Sequence, residues 1–547
     1  MRIKLVSLED GITSCGFRKI AAYIARVNPE TESYYVSTTK QFLSIRNAIR
    51  GTFGENVEVG DQQVDEIARG LADADLLGFS AMTGYAGLTR RVIRRVREIA
   101  PGTFMIWGGI HPIIHPEDAI LADVDAICTG EGELAFQELF DHLQHGRDYS
   151  GVKNFWFKKN GEVTRNGFLP LMTAEEMETL PFPQYGESGE KIYEPGEGFV
   201  PMGLSDYLMN SGLAYRTVWS IGCPFHCTFC GNTKFIANDI KYKKIRHPSA
   251  RYAVDEAKRA RERFPHISQV TFFDDSFMAI PYREIEKFAE IWKSELGIPF
   301  AVYGVIPNYV ARDKFEVLTW AGMNRIRMGI QSGSQRILDF YKRPTPIEKV
   351  AAAGEVCASF APKYHVAPAY DIIVDNPIES REDVVQTLEL LYRLPRPYTP
   401  LLYSLKVIPN TDLERSMREL GVDIEEISAS YVMIPPRLAN ILVYLLAVWH
   451  PPRWIFDRLL RHVEASATPQ RLYPRLGLML RTLYLVKRIL GDLRFMDFSI
   501  LPGRSSYMFW RLGIVDFWQR HLTPRPRRPG PGDDASIGGV IAPPATA

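Results

Sequence analysis

Cys223, Cys227 and Cys230 stand within eight residues, in Ile221-Gly-Cys-Pro-Phe-His-Cys-Thr-Phe-Cys-Gly-Asn232. Thiolates spaced C-x3-C-x2-C on one loop can converge on a single soft metal centre. Their number is informative, because a structural zinc site or an electron-transfer cluster takes four protein ligands. Three cysteines leave one cluster iron open, and an open position is where chemistry happens. A zinc site completed by His226 is the competing reading, but zinc motifs usually bring a second ligand pair. Cys15, Cys128 and Cys357 are scattered singly and supply no such pair. No acid–base pair or nucleophile triad stands out, so a catalytic side chain is not assigned.

The elements before this loop alternate strand and helix. Ile3–Val6, Leu76–Ser80, Phe104–Trp107 and Val124–Cys128 read as buried strands. Between them lie helices such as Leu88–Ile99, with Leu88, Val92, Val96 and Ile99 on one face and a stop at Pro101-Gly102, and Glu133–Leu143. Residues 1–150 therefore predict a doubly wound parallel sheet. Three small, polar loops leave its strands on one edge: Ser80-Ala-Met-Thr-Gly-Tyr85, Gly108-Gly-Ile-His-Pro112 and Thr129-Gly-Glu-Gly-Glu133. That edge binds ligands in open α/β sheets, and glycines let backbone approach a large flat molecule. Tight turns without a ligand are the alternative.

Residues 151–208 read as a hairpin, with Asn160-Gly161 in its turn, followed by a linker. Six strand-like segments follow within residues 209–430: Thr217–Ile221, Val270–Phe273, Phe300–Ile306, Arg325–Ile330, Ala369–Val374 and Leu402–Val407. Strand-plus-helix units of this number fit a partial (β/α)6 barrel, where chemistry sits at the carboxyl ends of the strands. The cysteine loop follows the first of them.

The composition, with 46% hydrophobic and 24% charged residues and a net charge of +1, is that of a globular protein of two or three domains. Near-neutral charge argues against a dedicated nucleic-acid binder. Six cysteines in 547 residues do not make a disulfide framework, and the clustered three suit a reducing cytosol. Met1–Ser7 enters a strand pattern at once, so no signal peptide is expected and the expected location is cytoplasmic.

The cysteine loop resembles that of the radical S-adenosylmethionine superfamily, and what flanks it is similar to the cobalamin-dependent branch. The resemblance covers about residues 1–420. It implies a flavodoxin-like cobalamin-binding domain over residues 1–150, then a radical SAM barrel over 209–430. The implied cofactors are a 4Fe–4S cluster on Cys223, Cys227 and Cys230, S-adenosyl-L-methionine, and cobalamin. Cobalamin would lie against Ser80, Thr83, Gly84, Gly108, Gly109, His111, Gly130, Glu131 and Gly132. The motif Asp-x-His-x-x-Gly, which supplies a histidine to cobalt in other cobalamin domains, is absent. The lower face of the corrin would then meet the Ser80–Tyr85 loop, with His111 and His115 shaping loops.

By the same resemblance, Asp274 and Asp275 would contact the methionine moiety, since a cationic amino group needs a carboxylate; a helix cap is the competing role for either. Gln331 and Ser332 occupy a ribose-contact motif in which Gln331 replaces the usual acid. Asp375-Asn376 stand where most members carry glycine, which puts adenine contacts there in doubt. Asn410 replaces a turn glycine and tolerates left-handed backbone. Arg343 reads as a solvated helix-end charge. Tyr303, Asn308 and Tyr403 are candidates to face substrate.

The implied activity is cleavage of S-adenosylmethionine to a 5′-deoxyadenosyl radical that functionalises an unactivated carbon, most simply by C-methylation. Radical redox or ring formation without methyl transfer is the alternative, and a non-catalytic cobalamin or cluster sensor is the remaining reading. The implied partners are a small-molecule substrate, such as a lipid or pigment, and an electron donor such as flavodoxin or ferredoxin. Residues 431–522 read as helical, basic and apolar: from Arg437 to Arg528, sixteen Lys and Arg stand against five Asp and Glu. Such a segment suits peripheral contact with a membrane, and a cap packed on the barrel is the competing reading. The tail, residues 523–547, rich in Pro, Gly and Ala, reads as disordered.

Overall fold

The computed structural model describes residues 1–9, 14–37, 59–186, 189–424, 434–499 and 503–528. The first sheet has nine strands: β1 Ile3–Ser7, β2 Glu32–Tyr35, β3 Leu76–Ser80, β4 Phe104–Gly108, β5 Ala126–Cys128, β6 Phe155–Lys159, β7 Glu162–Arg165, β8 Lys191–Glu194 and β9 Gly198–Pro201. Their order is β7-β6-β5-β4-β3-β1-β2-β8-β9. Strands β5, β4, β3, β1, β2 and β8 pair in parallel. A strand covered on both faces reads as an apolar run; β1 is buried throughout and apolar except at Lys4, whose ammonium donates to the Gly70 carbonyl, and Ser7. Helices Asp61–Leu71 and Ala86–Ile99 cover one face, and Cys15–Val27 and Glu133–Gln144 the other. Val92 and Val96 of the expected helix face are buried, whereas Ile99, in the last turn, is exposed.

The stretch expected as hairpin and linker completes this sheet. Asn160 and Gly161 both take positive φ in the β6–β7 turn, as a tight hairpin requires. The second hairpin, β8–β9, extends the opposite edge beyond β2.

The second sheet is parallel and runs in sequence order: β10 Ala214–Thr217, β11 Gln269–Phe272, β12 Phe300–Val305, β13 Met323–Gln331, β14 Ala369–Val374 and β15 Thr399–Ser404. Helices between the strands bury one face, the other is the concave interior, and the sheet is the partial barrel expected. Its first strand ends earlier than the apolar pattern suggested. The reason is local: the backbone N–H groups of Trp219 and Ser220 donate to the Asp274 carboxylate instead of to a ladder.

The two sheets share one core. At their junction Arg18 is buried between the rings of Tyr185 and Tyr215, at 5.1 and 5.3 Å, and donates to the Arg216 carbonyl. Lys19 Nζ donates to the Val218 carbonyl at 2.7 Å.

Beyond the barrel lie helices Leu438–Val448, Arg453–Leu460, Pro474–Leu493, Gly503–Arg511 and Ile514–His521. They form a cap. Leu442, Leu446, Phe456 and Tyr484 join the barrel core, and Tyr484 Oη donates to the Pro400 carbonyl at 3.2 Å. Arg325, at the amino end of β13, is buried with Asp497 at 2.5 Å and Asp492 at 3.3 Å, so the cap also closes the bottom of the barrel. The first residues of the expected disordered tail are seated on the barrel: Arg525 donates to the Gly297 carbonyl at 2.9 Å, and Arg528 pairs with Glu290. Residues 529–547 lie outside the described residues.

Candidate functional site

The cysteine loop is pinned from three sides. Ile221 and Arg246 exchange backbone hydrogen bonds, each of 2.9 Å, and Cys223 N donates to the Tyr242 carbonyl at 3.1 Å. Gly222 takes φ +113°, and a Cβ there would lie 2.5 Å from the Lys244 carbonyl oxygen, so the close approach admits only glycine. On the far side Thr228 N donates to the Tyr341 carbonyl, at 2.9 Å. Cys223 and Cys227 are buried with Phe225 and Ile306, and Cys230 is partly buried beside them. Burial pushes the Cys223 thiol up to about 11 and the Cys230 thiol up to about 12. A bound metal would hold such groups as thiolates at neutral pH.

Arg343 departs from the sequence expectation. It is buried rather than solvated, with Nη1 3.6 Å from Cys227 Sγ and its guanidinium 5.6 Å from the Phe225 ring centroid. Its Nε is buried with no partner. A buried cation beside a thiolate offsets the negative charge of a thiolate-ligated cluster. Three free thiols, this cation and an unsatisfied N–H therefore fit a cluster. Among the described residues no three His, Cys, Asp or Glu side chains converge as ligands of a single ion. His226, the alternative zinc ligand, instead faces Asp412, 3.7 Å away.

The two aspartates after β11 take different roles. Asp274 is buried and accepts from Trp219 N at 3.0 Å, Ser220 N at 2.7 Å and Ser220 Oγ at 2.5 Å. It shapes the entry to the cysteine loop, and burial raises its carboxyl to about 6. Asp275 has a solvent-accessible side chain in crowded surroundings: desolvation raises its carboxyl, a bond to Asn232 opposes that, and its charge reaches Cys223 and Cys230. Of the pair, Asp275 is the carboxylate available to a cationic ligand at the cysteines.

Gln331 and Ser332 diverge in the same way. Gln331 takes φ +66° at the bulge where β13 leaves β14, with its amide over Gly329. Ser332 is fully buried against Thr387 Oγ1 at 3.2 Å and has no surface for a ribose. Asp375 turns to the cap, pairing with Arg437 at 3.2 Å, and Asn376 is buried against Tyr341. Asn410 does adopt φ +60°, and its Nδ2 donates to the Ile114 carbonyl at 3.0 Å.

Arg327 and Asp371, which sequence reasoning missed, meet on the barrel's inner face, with Arg327 Nε 2.8 Å from Asp371 Oδ1. The Arg327 guanidinium lies 5.4 Å from the rings of both Tyr303 and Tyr403, and donates to Tyr403 Oη at 2.6 Å. All four are partly exposed. Their signal was a polar residue at alternate positions of otherwise buried strands. Asn308 instead closes a turn, donating to the Pro344 carbonyl.

The three loops of the first sheet share its carboxyl edge, as expected. Ser80 Oγ donates to Glu9 at 3.0 Å. His111 has both ring nitrogens engaged, Nε2 with Asp118 at 2.8 Å and Nδ1 near Thr83 Oγ1 at 3.4 Å. Burial and the neighbouring Arg90 push its pKa down to about 4, so it is neutral, and its two engaged nitrogens tether the loop. Gly109 takes φ +87° with its α-carbon against Ala81, where a Cβ would lie 2.8 Å from the Ala81 nitrogen. Side chains at Gly130 and Gly132 would meet Asn154 and Ile20, so internal packing explains these glycines. Gly108 has ordinary room, and Gly84 faces open space beside exposed Met82. A bare backbone surface on this edge fits a large flat ligand.

This edge faces the cysteine loop. A Cβ on Gly231 would touch Ile114 at 3.0 Å, and Glu131 pairs with Arg246 at 2.6 Å.

Residues 36–140 match the B12 binding domain family and residues 217–391 the Radical SAM superfamily. The chain therefore joins the two domains of the cobalamin-dependent radical S-adenosylmethionine enzymes and is of that class, with a 4Fe–4S cluster, S-adenosylmethionine and cobalamin as its cofactors. It is 27% identical over 326 residues to an uncharacterized methyltransferase of Pyrococcus horikoshii, covering 59% of this chain and 65% of that one. It is 24% identical over 363 residues to the anaerobic magnesium-protoporphyrin IX monomethyl ester cyclase of Rubrivivax gelatinosus, covering 64% and 59%. The chain thus spans about 60% of the length of these relatives. In fold it is similar to the radical S-adenosylmethionine methyltransferase TsrM of Kitasatospora setae, with a TM-score of 0.58 and 16% identity over 77% of this chain and 76% of that chain.

Proposed function

We propose that the protein functionalises an unactivated carbon of a hydrophobic small molecule by radical chemistry, most directly by C-methylation. One observation carries the reading: the ligand edge of the first sheet is held against the cysteine loop of the second through Ile114, Gly231, Asn410 and the Glu131–Arg246 pair. Two bound cofactors would then face a common space. When bound, these groups supply one-electron cleavage of a carbon–sulfur bond and a transferable methyl group. The chain supplies position and exclusion of water. Cys223, Cys227 and Cys230 would hold the cluster, and Asp275 with Asn232 would receive a cationic amino group beside it. Gln331 would bond a ribose hydroxyl. Arg327 and Asp371, between Tyr303 and Tyr403, would orient the polar edge of a substrate whose apolar part lies on the rings.

The similarity to the Rubrivivax gelatinosus cyclase supports the second reading, radical ring formation without methyl transfer. An electron donor such as flavodoxin or ferredoxin is the partner the chemistry requires. For residues 431–522 the exposed apolar side chains support peripheral contact with a membrane, and the protein is read as cytoplasmic.

Anaerobic reconstitution with methyl-labelled S-adenosylmethionine and a cell lipid and pigment extract tests the reading. Label in a carbon-bound methyl group of one product is expected. Cleavage of S-adenosylmethionine with no transferred label selects the second reading. Replacing all three cysteines with alanine should remove the cluster absorbance and iron.

A further inference from the structure

The helix Pro474–Leu493 presents apolar side chains on both its inner and its outer side. Its inner side buries Gly477, Leu480, Tyr484 and Leu485 on the cap and barrel. Its outer side should be polar, as on any surface helix. Instead Leu476, Met479, Leu483, Val486 and Leu490 form one outward row, each between 39% and 65% exposed. Their three-and-four spacing keeps them in line over 14 intervening steps of about 1.5 Å, a stripe of about 21 Å. Monomeric proteins rarely leave such a continuous apolar stripe in water, and one that does marks a binding surface.

The charges beside the stripe say what covers it. The exposed charged residues of the helix, Arg475 and Lys487, are basic, and Arg494 follows at its end. The one acid of the helix, Asp492, is buried with Arg325. A second copy of this chain would bring these cations against one another. Lys487 Nζ donates to the Ala447 and Val448 carbonyls, which brings the exposed Trp449 to the flank of the stripe, and exposed Trp454 follows on the next helix. Leucines flanked by cations and tryptophans match the boundary between acyl chains and anionic headgroups. Among the described residues no helix is long and apolar enough to cross a membrane.

We propose that the outward stripe of this helix is a docking surface for an anionic lipid bilayer. The proposal rests on the peripheral reading of the C-terminal region and names the face that makes the contact. The helix is at once a cap on the barrel and an interfacial helix, because the two roles use opposite sides.

Flotation of the full-length reconstituted protein tests it, with vesicles of phosphatidylcholine alone or mixed equally with phosphatidylglycerol. The protein should float with the mixed vesicles at low salt and stay below with phosphatidylcholine alone. Leu483→Glu combined with Leu490→Glu should weaken flotation about tenfold or more, and Arg475→Glu with Arg494→Glu should remove the preference for the anionic lipid. Both pairs are exposed, so iron content and thermal midpoint should match the unsubstituted protein. If the Glu pair fails that control, Val486→Asn alone should still weaken flotation. A protein that stays in solution with every vesicle overturns the peripheral reading itself. A protein that floats equally well with and without the substitutions keeps peripheral contact but overturns the stripe. A dimer that the Glu pair converts to monomer, or an acidic protein that displaces the vesicles, gives the stripe another occupant and also overturns the proposal.

Discussion

Adjacent residues in this site have opposite duties, and single substitutions should separate them. Asp274→Ala would strip the acceptor from two backbone N–H groups and the Ser220 hydroxyl; unsatisfied buried donors cost about 1–3 kcal/mol. A drop of several degrees in thermal midpoint is expected, with low iron content after reconstitution. Asp275→Asn should fold with an unchanged midpoint and full iron, yet bind S-adenosylmethionine about tenfold more weakly, as loss of one charge-assisted contact implies. Equal behaviour of the two variants would refute the division. At the other edge, the engaged nitrogens of His111 lead to a second expectation. Electron paramagnetic resonance of the cobalt(II)-cobalamin protein should lack the superhyperfine splitting of a nitrogen lower ligand, and a clear imidazole splitting would contradict it. The cysteines, the glycine loops and the absence of a cobalt-ligating motif were legible in the sequence because they are local patterns. The choice between Asp274 and Asp275, the burial of Arg343 and the occlusion of Ser332 were not. Each depends on which side chain a distant segment covers.

At the scale of elements, apolar runs located the strands of both sheets well, apart from their ends. The end of β10 was invisible because its continuation bonds to Asp274, a side chain just beyond the next strand. Strands β2, β8 and β9 escaped notice, since Glu32-Ser-Tyr-Tyr35 and the hairpin after residue 190 carry no long apolar run and gain their place only by pairing. The join between β14's following helix and the cap yields a pH expectation. Glu379 is buried there, accepting from Ser466 Oγ at 2.9 Å, and burial raises its carboxyl to about 8, with Asp383 and Asp375 adding to the effect. The folded state keeps this proton where the unfolded chain, titrating near about 4.3, has lost it. The stabilisation is complete below the unfolded value and is lost as pH rises towards about 8, with a slope of at most about 1.4 kcal/mol per unit for one proton. Thermal midpoints measured across that range should fall, and Glu379→Gln should flatten the fall. An unchanged slope in the variant would remove Glu379 as the cause.

For the molecule as a whole, the pair of Glu131 and Arg246 tests whether the two sheets act together. Arg246 holds Glu131 at 2.6 Å and the Met172 carbonyl at 2.7 Å, and Met172 N donates back to Glu131 at 2.9 Å. Arg246→Ala should leave the iron content unchanged and weaken cobalamin binding by about tenfold, the scale of one lost charged hydrogen bond. Titration of the apoprotein with cobalamin reads the change, and undiminished affinity would show that the sheets are coupled elsewhere. The contact of Arg325 with Asp492 and Asp497 bears on how such proteins are assembled from parts. A guanidinium in the floor of the barrel has its counter-ions more than a hundred residues later, and removing them would strand a charge in a dry interior. A chain cut near residue 430 would lose the barrel as well as the cap. In this chain the barrel and its cap therefore stand or fall as one piece.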